Sequence, residues 1–358
     1  MALSPDLQKA YEESYKPFVE GGGAIGEDQT KMRPWRVFLE IGSACNLRCP
    51  TCTKGNQGTG YEHLNGFMDM GYMEKCIEKI RNENNKAIVF LYGNSEPFLH
   101  PRLPECISMV KKYGLRCEMS TNLNYLQRVE ETLEAHPDFM IVSLSGFTQE
   151  VYVKGHAGGN VEKVKKNMKI IGEANAKLEN PVTIQVNYHV YKDNGHELEL
   201  MREYAASCGI GLFTSNARAI SMENTIQYLR EKEGNPPYEV QEGRPDWNKV
   251  LPPPSQQWKD TMERLKIPPQ NAVEMYKDHP ESTLCPVGAG GMFTFIRHDG
   301  KVSLCACVAD RRITISDDYL TTNVDEMVER RVNHPICLEC SKRKLNMYYH
   351  LVDREKWG

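Results

Sequence analysis

Three cysteines fall within eight residues in Cys45-Asn-Leu-Arg-Cys49-Pro-Thr-Cys52, a C-x3-C-x2-C spacing. Three thiolates so placed can wrap one face of a cubane iron–sulfur cluster, because such clusters are held by cysteine thiolates. A four-iron cluster held by three cysteines keeps one iron without a protein ligand. An open metal position is what distinguishes catalytic from structural sites. A zinc site completed from elsewhere in the chain is the other reading of the same thiols. A second group lies near the C-terminus: Cys285, Cys305, Cys307, Cys337 and Cys340. Phe293-Thr294-Phe295-Ile296 and Val302-Ser303-Leu304 flank Asp299-Gly300 and predict a β-hairpin. A hairpin brings Cys285 and Cys305 together, and Cys337-x2-Cys340 supplies two more thiols. Four thiolates close a cluster; they are equally the donor set of a zinc ribbon. Cys307 is then surplus: a ligand in place of Cys305, an inert thiol, or a donor of its thiol hydrogen atom.

The bulk composition narrows the setting. The 358 residues are 40% hydrophobic, enough for a barrel and a smaller appendage. The net charge is -4 and the basic residues are scattered, so no nucleic-acid partner is expected. No apolar run reaches the length of a membrane span. The first residues, MALSPDLQKAYEESYKPF, contain acidic side chains and no apolar core, unlike a secretory signal. A cytoplasmic location is expected. Twelve cysteines without an export signal then point to metal or redox chemistry rather than disulfides. Cys76, Cys106, Cys117 and Cys208 stand apart and read as small core hydrophobes.

The elements that must position these residues alternate regularly. Strands are expected near 36–41, 87–92, 115–120, 139–145, 182–190 and 210–214, each followed by a helical pattern such as 72–84 or 101–114. Six such units predict an α/β fold with a parallel sheet and helices outside it. Six rather than eight favours an open, partial (β/α)6 TIM barrel; a doubly wound sheet fits the periodicity equally well. Residues 1–34 read as an N-terminal extension and 35–233 as the barrel. The Pro-rich stretch 234–284 reads as an irregular linker, and 285–358 as a small Cys-rich β-hairpin domain with a tail helix over 341–355.

In this order the motifs resemble those of the radical S-adenosylmethionine (SAM) superfamily, over about residues 35–345. The C-x3-C-x2-C loop after strand one is its hallmark. After strand two stands Tyr92-Gly93-Asn94-Ser95-Glu96-Pro97, where the family usually has Gly-Gly-Glu-Pro. The resemblance implies that Gly93, Asn94, Ser95 and Glu96 hold the methionine amino group of SAM. A Gly permits close backbone approach, and Glu96 supplies an anion. Two departures stand out: Thr51 replaces a frequent aromatic residue before the third cysteine, and Asn94-Ser95 replaces the second glycine. Ser120 and Asn122 end strand three where the family binds ribose, although such residues also cap helices. Ser145 ends strand four and lines the SAM or substrate pocket on this reading. Gln185, Asn187 and His189 recur at spacing two and share one face of strand five. Facing a barrel interior they would be costly unless used; facing outward they are solvated.

The C-x14-G-x4-C pattern from Cys285 through Gly300 to Cys305 is similar to the opening of the superfamily's auxiliary-cluster domains. The cysteine count matches the short twitch version rather than the longer SPASM version. The resemblance thus implies two [4Fe-4S] clusters. Cys45, Cys49 and Cys52 would hold the first, and Cys285, Cys305, Cys337 and Cys340 the second. It also implies SAM as cosubstrate and an electron donor such as flavodoxin or ferredoxin. Reductive cleavage of SAM would give a 5'-deoxyadenosyl radical that abstracts a hydrogen atom from substrate. The stretches 145–168 and 188–201 look like those of twitch enzymes acting on aminoglycoside-type sugars and aminocyclitols. Oxidation or epimerisation of a sugar-like small molecule is therefore the first expectation. Modification of a ribosomal peptide is the second. A non-catalytic metal-stapled binding protein or cluster scaffold is the alternative of a different class. With only residues 1–34 before the barrel, a cobalamin-dependent methyltransferase is not expected.

Overall fold

Strands β1 (Arg36–Leu39), β2 (Ile88–Phe90), β3 (Arg116–Thr121), β4 (Phe139–Leu144), β5 (Ile184–Val190) and β6 (Gly211–Asn216) match the six expected strands to within a few residues. In this computed structural model residues 35–52, 55, 66–234, 255–275, 293–308, 313–346 and 348 are described. Each strand pairs in parallel with the next, in the order β6-β5-β4-β3-β2-β1. A doubly wound sheet needs a point where the strand order reverses. Here the six strands follow one another without reversal, which makes the sheet the wall of a partial barrel.

Helices α1 (Met70–Glu83), α2 (Leu103–Lys112), α3 (Val129–Glu134), α4 (Gln149–Gly155), α5 (Val161–Asn175), α6 (Leu198–Ser207) and α7 (Met222–Lys232) fill the connections. Several begin at polar caps: Asp69 accepts from Tyr72 N, Asn160 from Lys163 N and Ser221 from Asn224 N. The strands alternate between two environments. Val37, Leu39, Val89, Met119, Met140, Val142, Val186 and Tyr188 are buried on one face, each such side chain contributing roughly 1.5–3 kcal/mol. The register puts Phe38, Phe90 and Glu118 in one row of the other face, and Ser120, Ile141 and Gln185 in another. Ser143, Asn187 and Phe213 form a third row, and His189 and Ser215 a fourth. This second face is mostly only half-buried and lines the barrel interior.

The expected C-terminal hairpin is present but does not stand apart. Strand β7 (Phe293–Ile296) pairs in parallel with β1, and β8 (Val302–Ser303) and β9 (Thr314–Ser316) continue antiparallel, so one sheet has nine strands. The physical reason is the open barrel itself, which leaves β1 with an edge of unpaired backbone groups. Trp35 Nε1 donates to Thr294 Oγ1 at 3.1 Å and Glu40 N to Ile296 O at 2.9 Å across that junction. Gly300 turns the hairpin at φ +81°, where a Cβ would meet the Tyr72 hydroxyl at 2.6 Å. Tyr72 donates to Asp318 at 2.5 Å, and the Lys79 ammonium donates to the carbonyls of Tyr319, Leu320 and Thr322. The hairpin is thereby docked on α1.

Part of the stretch expected to be irregular is helical: α8 (Gln256–Arg264) and α9 (Gln270–Met275). Ser255 caps α8, and fully buried Trp258 packs edge-on against Tyr228. The surrounding prolines hide so short an amphipathic pattern. Helices α10 (Val324–Val332) and α11 (Pro335–Lys342) follow β9. Helix α11 ends at Lys342, the chain turns through Lys344 at φ +55°, and Leu345, Asn346 and Tyr348 are helical again, within the tail helix expected over 341–355, of which 347 and 349–355 lie outside the described residues. Among the described residues no helix is long and apolar enough to cross a membrane.

Lys79→Met should loosen the docked hairpin. It leaves up to three carbonyls without their donor, so unfolding stability should fall by about 1–3 kcal/mol. Chemical denaturation of the purified variant measures this, and an unchanged midpoint would show that the ammonium contributes nothing.

Candidate active site

The Cys45–Cys52 loop leaves β1 at the C-terminal edge of the parallel sheet, where barrel enzymes carry their chemistry. Several later connections hold it. Glu96 N donates to Ala44 O at 2.9 Å, Arg48 N to Ala157 O at 2.8 Å and Ile220 N to Thr51 O at 2.7 Å. Asn122 Nδ2 donates to Asn46 Oδ1 at 2.9 Å and lies 3.8 Å from Cys45 Sγ. Within the loop Cys52 N reaches Cys49 O at 3.0 Å. Gly55 is required by closeness: a Cβ there would lie 2.0 Å from Cys49 O. Thr51 interacts with the Tyr191 hydroxyl, so an aromatic ring from beyond β5 stands beside the loop.

The three thiols are free of disulfides. Desolvation, then the neighbouring Cys52 and Cys45, pushes the Cys49 thiol well above its usual range. Such a set ionises together only when a cation joins it, which is what cluster iron provides. Among the described residues no three His, Cys, Asp or Glu converge on a single metal ion. Three thiolates on one short loop are the donor set that four-iron clusters use.

Gly93 lies at the end of β2 against the hairpin: a Cβ on it would meet the Phe295 ring at 2.5 Å. Asn94 is half-buried, and the Ser95 hydroxyl is buried with no hydrogen-bond partner among the described residues. Glu96 is buried and accepts from Phe98 N at 3.1 Å, Thr121 Oγ1 at 2.7 Å and Asn122 N at 2.7 Å. It caps the turn Pro97–Leu99 and locks the β2 connection to the end of β3. Burial pushes its carboxyl up to about 7, against the pull of the three donors.

The interior face carries the remaining candidates. Ser120 and Ser143 hydroxyls are 3.1 Å apart, and Ser215 donates to Asn187 Oδ1 at 2.7 Å. Gln185, Asn187 and His189 all line this face, which answers the question of inward or outward orientation. Ser145 differs from its neighbours: it is buried, donating to Tyr152 O at 3.3 Å and bonding His156 Nδ1 at 2.7 Å. It acts on the interior only through His156. That histidine, with Tyr152, Asn124 and Tyr191, escaped sequence reasoning because none lies on a periodic strand face. Asn124 Nδ2 donates to the Tyr152 hydroxyl at 2.7 Å, and its Oδ1 accepts from Asn160 N at 2.7 Å.

In the second group Cys285 lies outside the described residues. Cys305 and Cys307 follow β8; Cys307 N donates to Cys305 Sγ at 3.4 Å. The Cys307 side chain, with Arg331 nearby, brings the Cys305 thiol down to about 7 although burial opposes it. Cys337 and Cys340 stand three apart on α11, on one face of the helix. Helix α11 packs against α7, whose first residue Met222 donates its N–H to Cys307 O at 2.7 Å.

A barrel edge bearing three clustered thiols, a Gly–Glu loop and a polar interior wall defines a class that comparison with known proteins identifies. Residues 39–230 match the family model of the radical SAM superfamily. The chain belongs to that superfamily. It is 30% identical over 201 residues to a tungsten-containing aldehyde ferredoxin oxidoreductase cofactor-modifying protein of Pyrococcus furiosus, covering 54% of each chain. It is 28% identical over 173 residues to a probable GTP 3',8-cyclase of Methanococcus maripaludis, covering 48% of this chain and 55% of that one. The chain thus spans about half the length of these curated relatives. Among solved structures it is similar to Streptococcus suis SuiB bound to precursor peptide SuiA, with 10% identity and a TM-score of 0.51 over 94% of this chain and 79% of that one. It is also similar to anSMEcpe with bound AdoMet, with 14% identity and a TM-score of 0.50 over 87% of this chain and 88% of that one. At these identities the two structures speak for the fold alone. Membership implies one [4Fe-4S] cluster and SAM, for which the loop cysteines and the orphaned Ser95 hydroxyl are fitting partners.

The buried Glu96 carboxyl makes stability depend on pH. Because its folded pKa of about 7 lies above its ordinary 4.5, the native state holds a proton that the unfolded chain releases. Its contribution is therefore complete below the lower value and lost as pH rises towards about 7. Cluster-free protein should be less stable to urea at about pH 7.5 than at about pH 5, and Glu96→Gln should flatten that difference. A wild-type and variant slope that agree would assign the dependence elsewhere.

Proposed function

We propose that this radical SAM enzyme abstracts a hydrogen atom from a sugar-like or aminocyclitol-type alcohol, with oxidation or epimerisation as the outcome. The observation that carries the reading is the polar interior wall of Ser120, Ser143, Gln185, Asn187 and His189 below the three-cysteine loop. Such a wall matches a substrate rich in hydroxyl groups better than an apolar one, because each buried polar group needs a partner. When bound, the cluster would supply the electron for reductive cleavage of SAM, and with it the radical chemistry that the side chains themselves cannot provide.

The protein's share is positioning. Cys45, Cys49 and Cys52 would hold the cluster through their thiolates. Gly93 lets the backbone approach the methionine end of SAM, where Asn94, Ser95 and Glu96 offer polar groups to its ammonium. Ser120 and Asn122 are suited to the ribose hydroxyls. Asn122 has a second duty in bracing Asn46 within the cysteine loop. Cys285, Cys305, Cys337 and Cys340 would hold a second [4Fe-4S] cluster in a twitch-like domain, with Cys307 as a hydrogen donor if the outcome is epimerisation. A flavodoxin- or ferredoxin-type protein would deliver the electrons.

A second reading draws on the relatives, whose names concern cofactor modification and GTP cyclisation. A nucleotide-like small molecule would meet the aromatic rings at the other end of the same face. Phe38 and Phe90 stack there at 4.8 Å, with Phe293 and Phe295 about them.

Anaerobic reconstitution should give about eight irons per chain, as two four-iron clusters require, and 5'-deoxyadenosine on adding SAM and dithionite. Cys49→Ala should abolish 5'-deoxyadenosine formation while keeping about half the iron. Persisting SAM cleavage in that variant would remove the loop from the chemistry. Cys337→Ala should lose the other half; full iron content would strike it from the ligand set.

A further inference from the structure

His189 is placed unlike any other polar residue of the interior. It lies on the interior face near the C-terminal end of β5, in register with Ser215 on β6, and is half-buried. Its ring is clamped from behind. It stacks on His156 with ring centres 5.8 Å apart and planes at 24°. His156 in turn stacks on Tyr152 at 5.0 Å and 7°. That column is anchored at both members, by Ser145 on His156 Nδ1 and by Asn124 on the Tyr152 hydroxyl. The backbone of His189 is fixed too, its carbonyl accepting from Asn194 Nδ2 at 2.8 Å. Yet among the described residues no hydrogen bond reaches its ring nitrogens. An imidazole held rigidly by its face, with its polar edge left open, is arranged for something the chain does not itself contain.

We propose that His189 accepts the hydroxyl proton of the substrate, which makes the reaction an alcohol oxidation rather than an epimerisation. This rests on the hydroxylated-substrate reading above. Converting CH–OH to C=O removes a hydrogen atom, a proton and an electron. The carbon-bound hydrogen atom goes to the deoxyadenosyl carbon, giving 5'-deoxyadenosine. The O–H bond breaks towards His189, and the electron passes to an oxidised iron–sulfur centre as the C=O bond completes. Epimerisation returns a hydrogen atom to the same carbon and needs no base, so an open imidazole at the reacting hydroxyl belongs to the oxidative outcome. The desolvated surroundings, and then Arg218, bring the His189 imidazole down to about 4, so it is the neutral, accepting form near neutral pH. His156 is a positioning residue: it is buried, its Nδ1 is taken by Ser145, and it meets the interior only through His189.

The test has two arms. In the first, wild-type holoenzyme is treated anaerobically with diethyl pyrocarbonate, with and without SAM, and modified histidines are mapped by peptide mass spectrometry. His189 should be modified in both conditions and His156 in neither. Complete protection of His189 by SAM would place it beneath the cosubstrate, and no modification at all would show its edge to be closed; either result overturns the proposal and leaves the substrate reading standing. In the second arm a panel of aminocyclitols and free aminosugars is offered with SAM and dithionite. Carbonyl product, trapped as its oxime, is compared with 5'-deoxyadenosine. Wild type should form the two in proportion. H189Q and H189N should lower the carbonyl-to-deoxyadenosine ratio by roughly a hundredfold, the usual scale of a lost general base. An unchanged ratio in both variants overturns the proposal alone. No carbonyl from any wild-type reaction overturns the alcohol reading and the proposal with it.

Discussion

Three thiolates facing one cluster repel one another and must be held from outside. A loop of eight residues contains too little structure to do this. The Cys45–Cys52 loop is therefore fixed by connections that arrive from later in the chain: Glu96 after β2, Asn122 after β3, Ala157 after α4 and Ile220 after β6. Each grips through a hydrogen bond of ordinary length to a different part of the loop. The barrel is the device that brings those connections to one edge. Parallel strands in unbroken order deliver every strand-to-helix turn to the same end of the sheet.

The same constraint explains why the residues beneath the loop are polar. On one face, strand side chains such as Val37, Val89, Met119 and Val186 are fully buried. On the interior face the register lines up Ser120 with Gln185 through Ile141, Ser143 with Asn187, and His189 with Ser215. A closed eight-stranded barrel would fill that space with branched apolar side chains. A partial barrel leaves it open for a cosubstrate and substrate. The interior is also divided: four phenylalanine rings gather on β7, β1 and β2, whereas β3 to β6 carry mainly hydroxyl, amide and imidazole groups, with Ile141 and Phe213 among them. A ligand crossing it meets stacking surfaces at one end and hydrogen-bonding groups at the other.

An open barrel exposes a strand edge, and the C-terminal hairpin covers it. Strand β7 lies on β1, immediately before the cysteine loop, and Phe295 packs where Gly93 has no side chain. Cys305 and Cys307 thus follow directly on a continuation of the barrel sheet. Cys305 and Cys307 are tied to the start of α7 through Met222, and α7 packs on the helix bearing Cys337 and Cys340.

Much of this was legible in the residues alone. Strand and helix periodicities are local, so all six barrel strands fall where hydrophobic alternation puts them, and the C-x3-C-x2-C spacing names its own chemistry. Spacing of two along β5 already put Gln185, Asn187 and His189 on one face. What the chain could not declare was which face, because that depends on where helices pack. Nor could it reveal that Ser145 turns into α4, that Glu96 ties β2 to β3, or that Tyr152 and His156 stack behind His189. These contacts join residues on different elements, and no local pattern marks them. The hairpin's place beside β1 is of the same kind. A turn sequence specifies that two strands return on each other, whereas the edge they join is chosen by whichever strand the rest of the fold leaves unpaired.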